Sequence, residues 1–114
     1  MYSLAALEGG LLASGSSQTI EIWDTVTGAD VATLEAHGRC IWSLAALEGG
    51  RLASGSADGT IKIWELATCA CVVTLEGHED SVTSIAVLEG GRLASGSGDL
   101  TIKIWVPVLA DVLR

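Results

Sequence analysis

The sequence predicts an all-β chain built from three repeated four-stranded antiparallel units, and three observations carry that prediction. First, the 114 residues repeat themselves with a period of 40 to 41: Leu-Glu-Gly-Gly at 7–10, 47–50 and 88–91, Leu-Ala-Ser-Gly-Ser at 12–16, 52–56 and 93–97, and Ile-x-Ile-Trp at 20–23, 61–64 and 102–105. Second, within each copy apolar residues alternate with polar ones and β-branched residues are frequent, which suits half-buried strands and lacks the i, i+3, i+4 spacing of a helix. Third, glycine pairs and an Asp-Gly step separate the short runs, and both supply tight hairpin turns.

The elements follow in order. In the first copy, strands are predicted at 2–7, 11–16, 19–23 and 30–34, with Glu8-Gly9-Gly10 and Asp24–Gly28 as turns. The second copy is the most regular, with strands at 41–47, 51–56, 60–64 and 71–75 and an Asp58-Gly59 hairpin turn. The third gives strands at 82–88, 92–97 and 101–105. After the single proline, Pro107, residues 110–114 resemble 29–33 and are expected to form a shortened fourth strand. The units are expected to span 1–38, 39–79 and 80–114, as parts of one larger object.

Composition narrows the function classes. No apolar run approaches the eighteen or so residues that span a membrane, and the N-terminal residues show no signal-peptide pattern; a soluble, cytoplasmic protein is expected. The net charge is −8 with only 6 Lys plus Arg, so a basic footprint for nucleic acid or an anionic membrane is missing. The three cysteines, Cys40, Cys69 and Cys71, do not have the spacing of a metal site, and no cofactor or metal is expected.

These residues resemble the WD-repeat β-propeller family over nearly the whole chain. The markers are Gly77-His78, Leu93-Ala94-Ser95-Gly96-Ser97, Asp99 and Ile102-Lys103-Ile104-Trp105, with a second set at His37, Ser54, Asp58 and Trp64. The resemblance implies a hydrogen-bonded tetrad in each blade: His37, Ser54, Asp58 and Trp64 in the second, His78, Ser95, Asp99 and Trp105 in the third. A buried carboxylate is costly unless paired, so Asp58 is expected to be buried against its histidine. The first copy keeps Ser14 and Trp23, but its turn at Ser17-Gln18-Thr19 is one residue shorter and has no Asp. The third places Leu100 where Gly59 stands, a poor residue for a positive-φ position.

The family also implies a propeller that must close. Blades are two-faced sheets and propellers typically have four to eight of them, so three leave an apolar face bare at each end. Either the chain is part of a longer propeller, or copies join head to tail into a ring. A trimer of nine blades is slightly preferred to a dimer of six.

By the same resemblance the chain is a non-catalytic scaffold that binds a peptide or protein on its top rim. The matching positions are Tyr2, Trp42 and Thr83, then Cys40 and Ser81, then Ala57 and Gly98, with Arg39 beside them; Tyr2 and Trp42 are the expected aromatic anchors. The alternative is a minimal or engineered repeat protein, or a propeller fragment, with no evolved ligand. A hydrolase using Ser54 and His37 is the remote alternative, because a triad needs an exposed nucleophile.

Overall fold

A computed structural model describes residues 3–7, 9–35, 37, 39–47, 49–88 and 92–105. Within them eleven strands form three antiparallel sheets. The first contains β1 (Ser3–Leu7), β2 (Leu11–Gly15), β3 (Thr19–Asp24) and β4 (Asp30–Glu35) in that order. The second contains β5 (Ile41–Leu47), β6 (Arg51–Ser56), β7 (Thr60–Glu65) and β8 (Ala70–Glu76). The third contains β9 (Val82–Val87), β10 (Leu93–Ser97) and β11 (Ile102–Trp105). The fourth strand expected at 110–114 lies outside the described residues, as does Tyr2.

Each sheet is a meander whose register keeps equivalent residues in step. Leu12 pairs with Trp23, Leu52 with Trp64 and Leu93 with Trp105 across the second and third strands. Two irregularities recur: the register of the third strand on the fourth shifts at Ile22/Trp23 and Ile63/Trp64, and that of the first strand on the second shifts at Ile41/Ser43 and Gly96/Ser97. Such a shift bends the strand and adds twist.

The sheets stack face to face, and each interface repeats the other. Ala13, Ile20, Ile22 and Leu34 of the first sheet bury against Ile41, Leu52 and Trp64 of the second, with Leu44 alongside. Ala53, Ile61 and Ile63 of the second then bury against Val82 and Leu93 of the third, with Ile85 and Trp105 alongside. Each sheet therefore has a following face, built on the Ile-x-Ile pair of its third strand, and a preceding face, built on its Leu and Trp. Glycines let the two faces close up. A Cβ on Gly15 would stand 2.8 Å from Ile41, and one on Gly55 would stand 2.7 Å from Val82.

Two turns carry residues in the left-handed region that glycine adopts freely and others adopt at a cost. Cys69 (φ 58°) takes the place that Gly28 (φ 75°) holds one repeat earlier, and Leu100 (φ 71°) takes the place of Gly59 (φ 83°). The turn is kept by its hydrogen bonds rather than by the residue at its tip. Leu100 N–H donates to the Ser97 carbonyl at 3.2 Å, as Gly59 N–H does to Ser56 at 3.1 Å.

Candidate functional site

Two kinds of site emerge: polar networks inside the second and third sheets, and the surfaces around them. The networks form because the segment leading into each sheet lays its histidine across the second strand. In the second sheet, His37 Nε2 is 2.8 Å from Ser54 Oγ, and Trp64 Nε1–H donates to the same oxygen at 2.9 Å. His37 Nδ1 lies 3.4 Å from Asp58 Oδ2 and 3.3 Å from Thr60 Oγ1. The Thr60 hydroxyl donates to Asp58 Oδ1 at 2.5 Å.

An ionised carboxylate only accepts, which orders the protons. The Nδ1 hydrogen of His37 points toward Asp58, so Nε2 accepts from the Ser54 hydroxyl and Ser54 accepts from the Trp64 indole. The third sheet repeats this with tighter contacts: His78 Nε2 to Ser95 Oγ at 2.7 Å, Trp105 Nε1–H to Ser95 at 2.7 Å, and His78 Nδ1 to Asp99 Oδ2 at 3.1 Å. Thr101 donates to Asp99 Oδ1, and Glu79 N–H donates to Asp99 Oδ2 at 2.9 Å. The His78 ring also meets Trp105 edge-on, with centroids 6.1 Å apart.

The electrostatics follow from this geometry. Burial lowers the His37 pKa below its ordinary value of 6.5, against the opposing pull of Asp58. For Asp58, partial burial works against ionisation, but the Thr60 hydroxyl and N–H and then His37 outweigh it and hold the carboxyl low. Asp99 is held well below the usual carboxylate range by the Thr101 hydroxyl first, then by Glu79 N–H and His78. The expectation that Asp58 is buried needs correcting: its side chain is 28% exposed, and that of Asp99 13%. The carboxylates sit at the rim end of each network, where water shares their solvation, while the imidazoles are fully enclosed.

The first sheet holds only part of such a network. Trp23 Nε1–H donates to Ser14 Oγ at 2.8 Å. Its turn at Ser16–Thr19 is closed by a Ser16 N–H bond to the Thr19 carbonyl at 3.1 Å instead of by an aspartate.

The rim positions named from sequence fall into two groups. Thr83, Cys40 and Arg39 are exposed, while Ser81 and Trp42 are half-buried. The Trp42 indole N–H is shielded from solvent with no partner among the described residues, so Trp42 is not a freely exposed anchor. Cys40 also serves the backbone, its carbonyl accepting from Ala57 N–H at 2.8 Å and from the Ser56 hydroxyl at 3.1 Å. All three cysteines are free and exposed. Among the described residues no cluster of His, Cys, Asp and Glu could hold a metal ion, and no helix is long and apolar enough to cross a membrane.

At the strand ends away from this rim lies a feature that the sequence reading missed. A cleft of about 530 Å³ opens between the first and second sheets, lined by Leu7, Leu11, Leu47, Arg51, Glu65 and Leu66 among others. Its walls come from hairpin turns of two different repeats, so no single motif announces it.

Among the described residues, the following face of the third sheet has no sheet packed against it. Ile102 is 79% and Ile104 56% exposed, although Ile61 and Ile63 at the same repeat positions are fully buried. At the other end of the stack, Leu4 on the preceding face of the first sheet is 65% exposed.

The stacked meanders and their His–Ser–Trp networks define a propeller blade architecture. The family model of the WD domain, G-beta repeat, matches residues 28–65 and 69–106, and the chain belongs to that WD40 family. Each match begins with the last strand of one sheet and continues through three strands of the next, so the sequence motif is staggered against the blade. Two similar solved structures are the "Structure of U3-55K" and the "Crystal structure of RRP9 WD40 repeats". Each is 30% identical with a TM-score of 0.86, over 94% of this chain and 34% of theirs. The chain thus spans about a third of the length of these structures. A comparison with curated protein sequences gave no match.

Proposed function

We propose that this chain is a non-catalytic WD-repeat interaction module that completes its propeller by binding further copies of itself. The observation that carries this reading is the pairing of its two open faces. Ile102 and Ile104 stand bare at one end of the stack. Leu4, Leu12 and Trp23 at the other end are the repeat equivalents of Leu44, Leu52 and Trp64, the residues that cover Ile20 and Ile22 inside the chain. A second copy joined head to tail would place one set on the other and repeat an interface the chain already makes twice. Such a heterologous contact closes into a ring when the rotation allows. A ring of three copies and nine blades is the closure we prefer, with two copies and six blades as the alternative.

The His–Ser–Asp arrangement supports a structural role in place of hydrolysis. Ser54 is fully buried, so its hydroxyl is out of reach of a substrate. The tetrads His37, Ser54, Asp58, Trp64 and His78, Ser95, Asp99, Trp105 hold the blades rigid on this reading. The exposed rim at Arg39, Cys40 and Thr83 is then left to contact a peptide or protein. The free, exposed thiols suit a reducing, cytoplasmic location. A propeller fragment or minimal repeat protein without a ligand is the competing reading, favoured by the chain's spanning about a third of its solved relatives.

Native mass spectrometry of the full chain and of Ile104→Asp tests this. The wild type should form one discrete oligomer, and Ile104→Asp should shift it to monomer with its circular dichroism unchanged. A wild-type monomer, or an oligomer indifferent to Ile104→Asp, would reject self-association through these faces.

A further inference from the structure

The cleft between the first and second sheets lies where the repeats depart from one another. Leu11 stands where the other copies carry Arg51 and Arg92, Ala46 where the third carries Val87, and Ala67 where the others carry Val26 and Val108. Leu11, Ala46 and Ala67 meet at the first junction and line a space of about 530 Å³. The matching positions for the second junction are Arg51, Val87 and Val108, which are larger or charged.

The apolar walls are held in place. Leu7, Leu11 and Leu66 pack against the buried core behind them. Leu66 N–H donates to the Gly50 carbonyl at 3.0 Å, which ties the turn after β7 to the turn between β5 and β6. A preformed apolar cleft with a few polar groups is the usual form of a ligand site.

Those polar groups are Arg51 and Glu65, which also line the cleft. They face each other across β6 and β7, yet they form no ion pair, and neither side chain has another partner among the described residues. The Arg51 guanidinium lies over the hairpin turn instead, with one nitrogen 3.0 Å from where a Cβ on Gly49 would stand. A guanidinium only donates and an ionised carboxylate only accepts. A simple anion would be repelled by Glu65 and a simple cation by Arg51. An extended peptide avoids both costs, because the N–H and C=O of one residue point to the same side, as in an antiparallel pair.

We propose that this cleft binds an extended peptide by one bulky aliphatic side chain, with the C=O of that residue accepting from Arg51 and its N–H donating to Glu65. The leucine and alanine walls take the side chain, and the charged pair fixes the backbone. The site is separate from the rim. Its junction lies within one chain, so it stands whether or not copies associate.

Amide NMR of the full chain, titrated with the capped peptide acetyl-Ala-Leu-Ala-amide, tests this. Saturable shifts are expected at Leu7, Leu11, Leu47 and Leu66. Leu11→Arg installs the residue type of the other two repeats and should weaken binding at least about tenfold, since it sets a charge against an aliphatic group. Ala46→Val, borrowed from the third repeat, fills the same space without a charge and carries the test if Leu11→Arg unfolds. Arg51→Ala and Glu65→Ala should each weaken binding about fivefold. Decanoate, an aliphatic chain with a carboxylate, should bind more weakly than the peptide. No saturable shift below about 10 mM peptide, shifts indifferent to the cleft-filling variants or to both alanine variants, or tighter binding of decanoate would each overturn the peptide site.

Discussion

Ile61 and Ile63 in the second blade and Ile102 and Ile104 in the third share one local sequence, Thr-Ile-Lys-Ile-Trp, and have opposite surroundings. The first pair is fully enclosed, whereas most of the second pair's surface meets solvent. Nothing in the strand distinguishes them. The difference lies in the third blade, which covers one pair and leaves its own pair uncovered. Burial in a stacked repeat is a property of the neighbour, which is why terminal repeats need a special solution.

The sharpest way to break that comparison is to put the same charge at both places. Ile63→Asp buries an unpaired carboxylate and should cost about 4 kcal/mol or more, enough to unfold a marginal domain. Ile104→Asp should change the stability of the isolated chain by about 0.5 kcal/mol or less, as exposed substitutions do. Chemical denaturation of the two variants, at a concentration where Ile104→Asp is monomeric, measures the contrast. Equal losses would mean that the third blade is not an open end.

A smaller effect is expected at the glycines that let blades approach. Gly55→Ala would place Cβ 2.6 Å from Ser43 Oγ and 2.7 Å from Val82, overpacking that should cost about 1–3 kcal/mol. At Gly96 the nearest described atom is Ser84 Oγ at 2.9 Å, with no residue of a following blade beside it. Gly96→Ala should therefore cost less than Gly55→Ala in the monomer and weaken association instead. Melting and oligomer dissociation, measured on both variants, separate the two terms.

The smallest effect sharpens the contrast between the first blade and the other two. Folded His37 takes a proton less readily than in the unfolded chain, so its contribution is intact above about pH 6.5 and falls as pH drops below it. Asp58 and Asp99 also bind protons less readily when folded, so a second loss should begin below about pH 4. The first blade has neither group in its turn. Amide protection in β6 and β10, taken relative to the intrinsic exchange rate at each pH, should fall on acidification more than protection in β2. A uniform response would argue against the networks as blade-specific clamps.

Much of this fold was legible because the repeat states its rules three times. Strands β5 and β6 fall on the residues that alternation and the turns predicted, and elsewhere the ends move by a residue or two, as at β8, which starts at Ala70 and ends at Glu76. The hydrogen-bonded partners of His37 and His78 were legible through family resemblance, since spacing alone does not say which way an imidazole points. Three features were not legible. The exposure of Asp58 depends on its lying at the rim end of the network. The half-burial of Trp42 depends on the neighbouring packing. The crowding at Gly59 needs the backbone of another repeat, since a Cβ there would stand 2.7 Å from the His78 carbonyl oxygen.

The most direct measurement is the native mass of the 114-residue chain as its concentration is raised. The account predicts a single discrete species at an integer multiple of 11.7 kDa, three copies in the preferred closure, with no larger ladder. A monomer that persists at high micromolar concentration, or an open-ended series of masses, would contradict closure through the two bare blade faces.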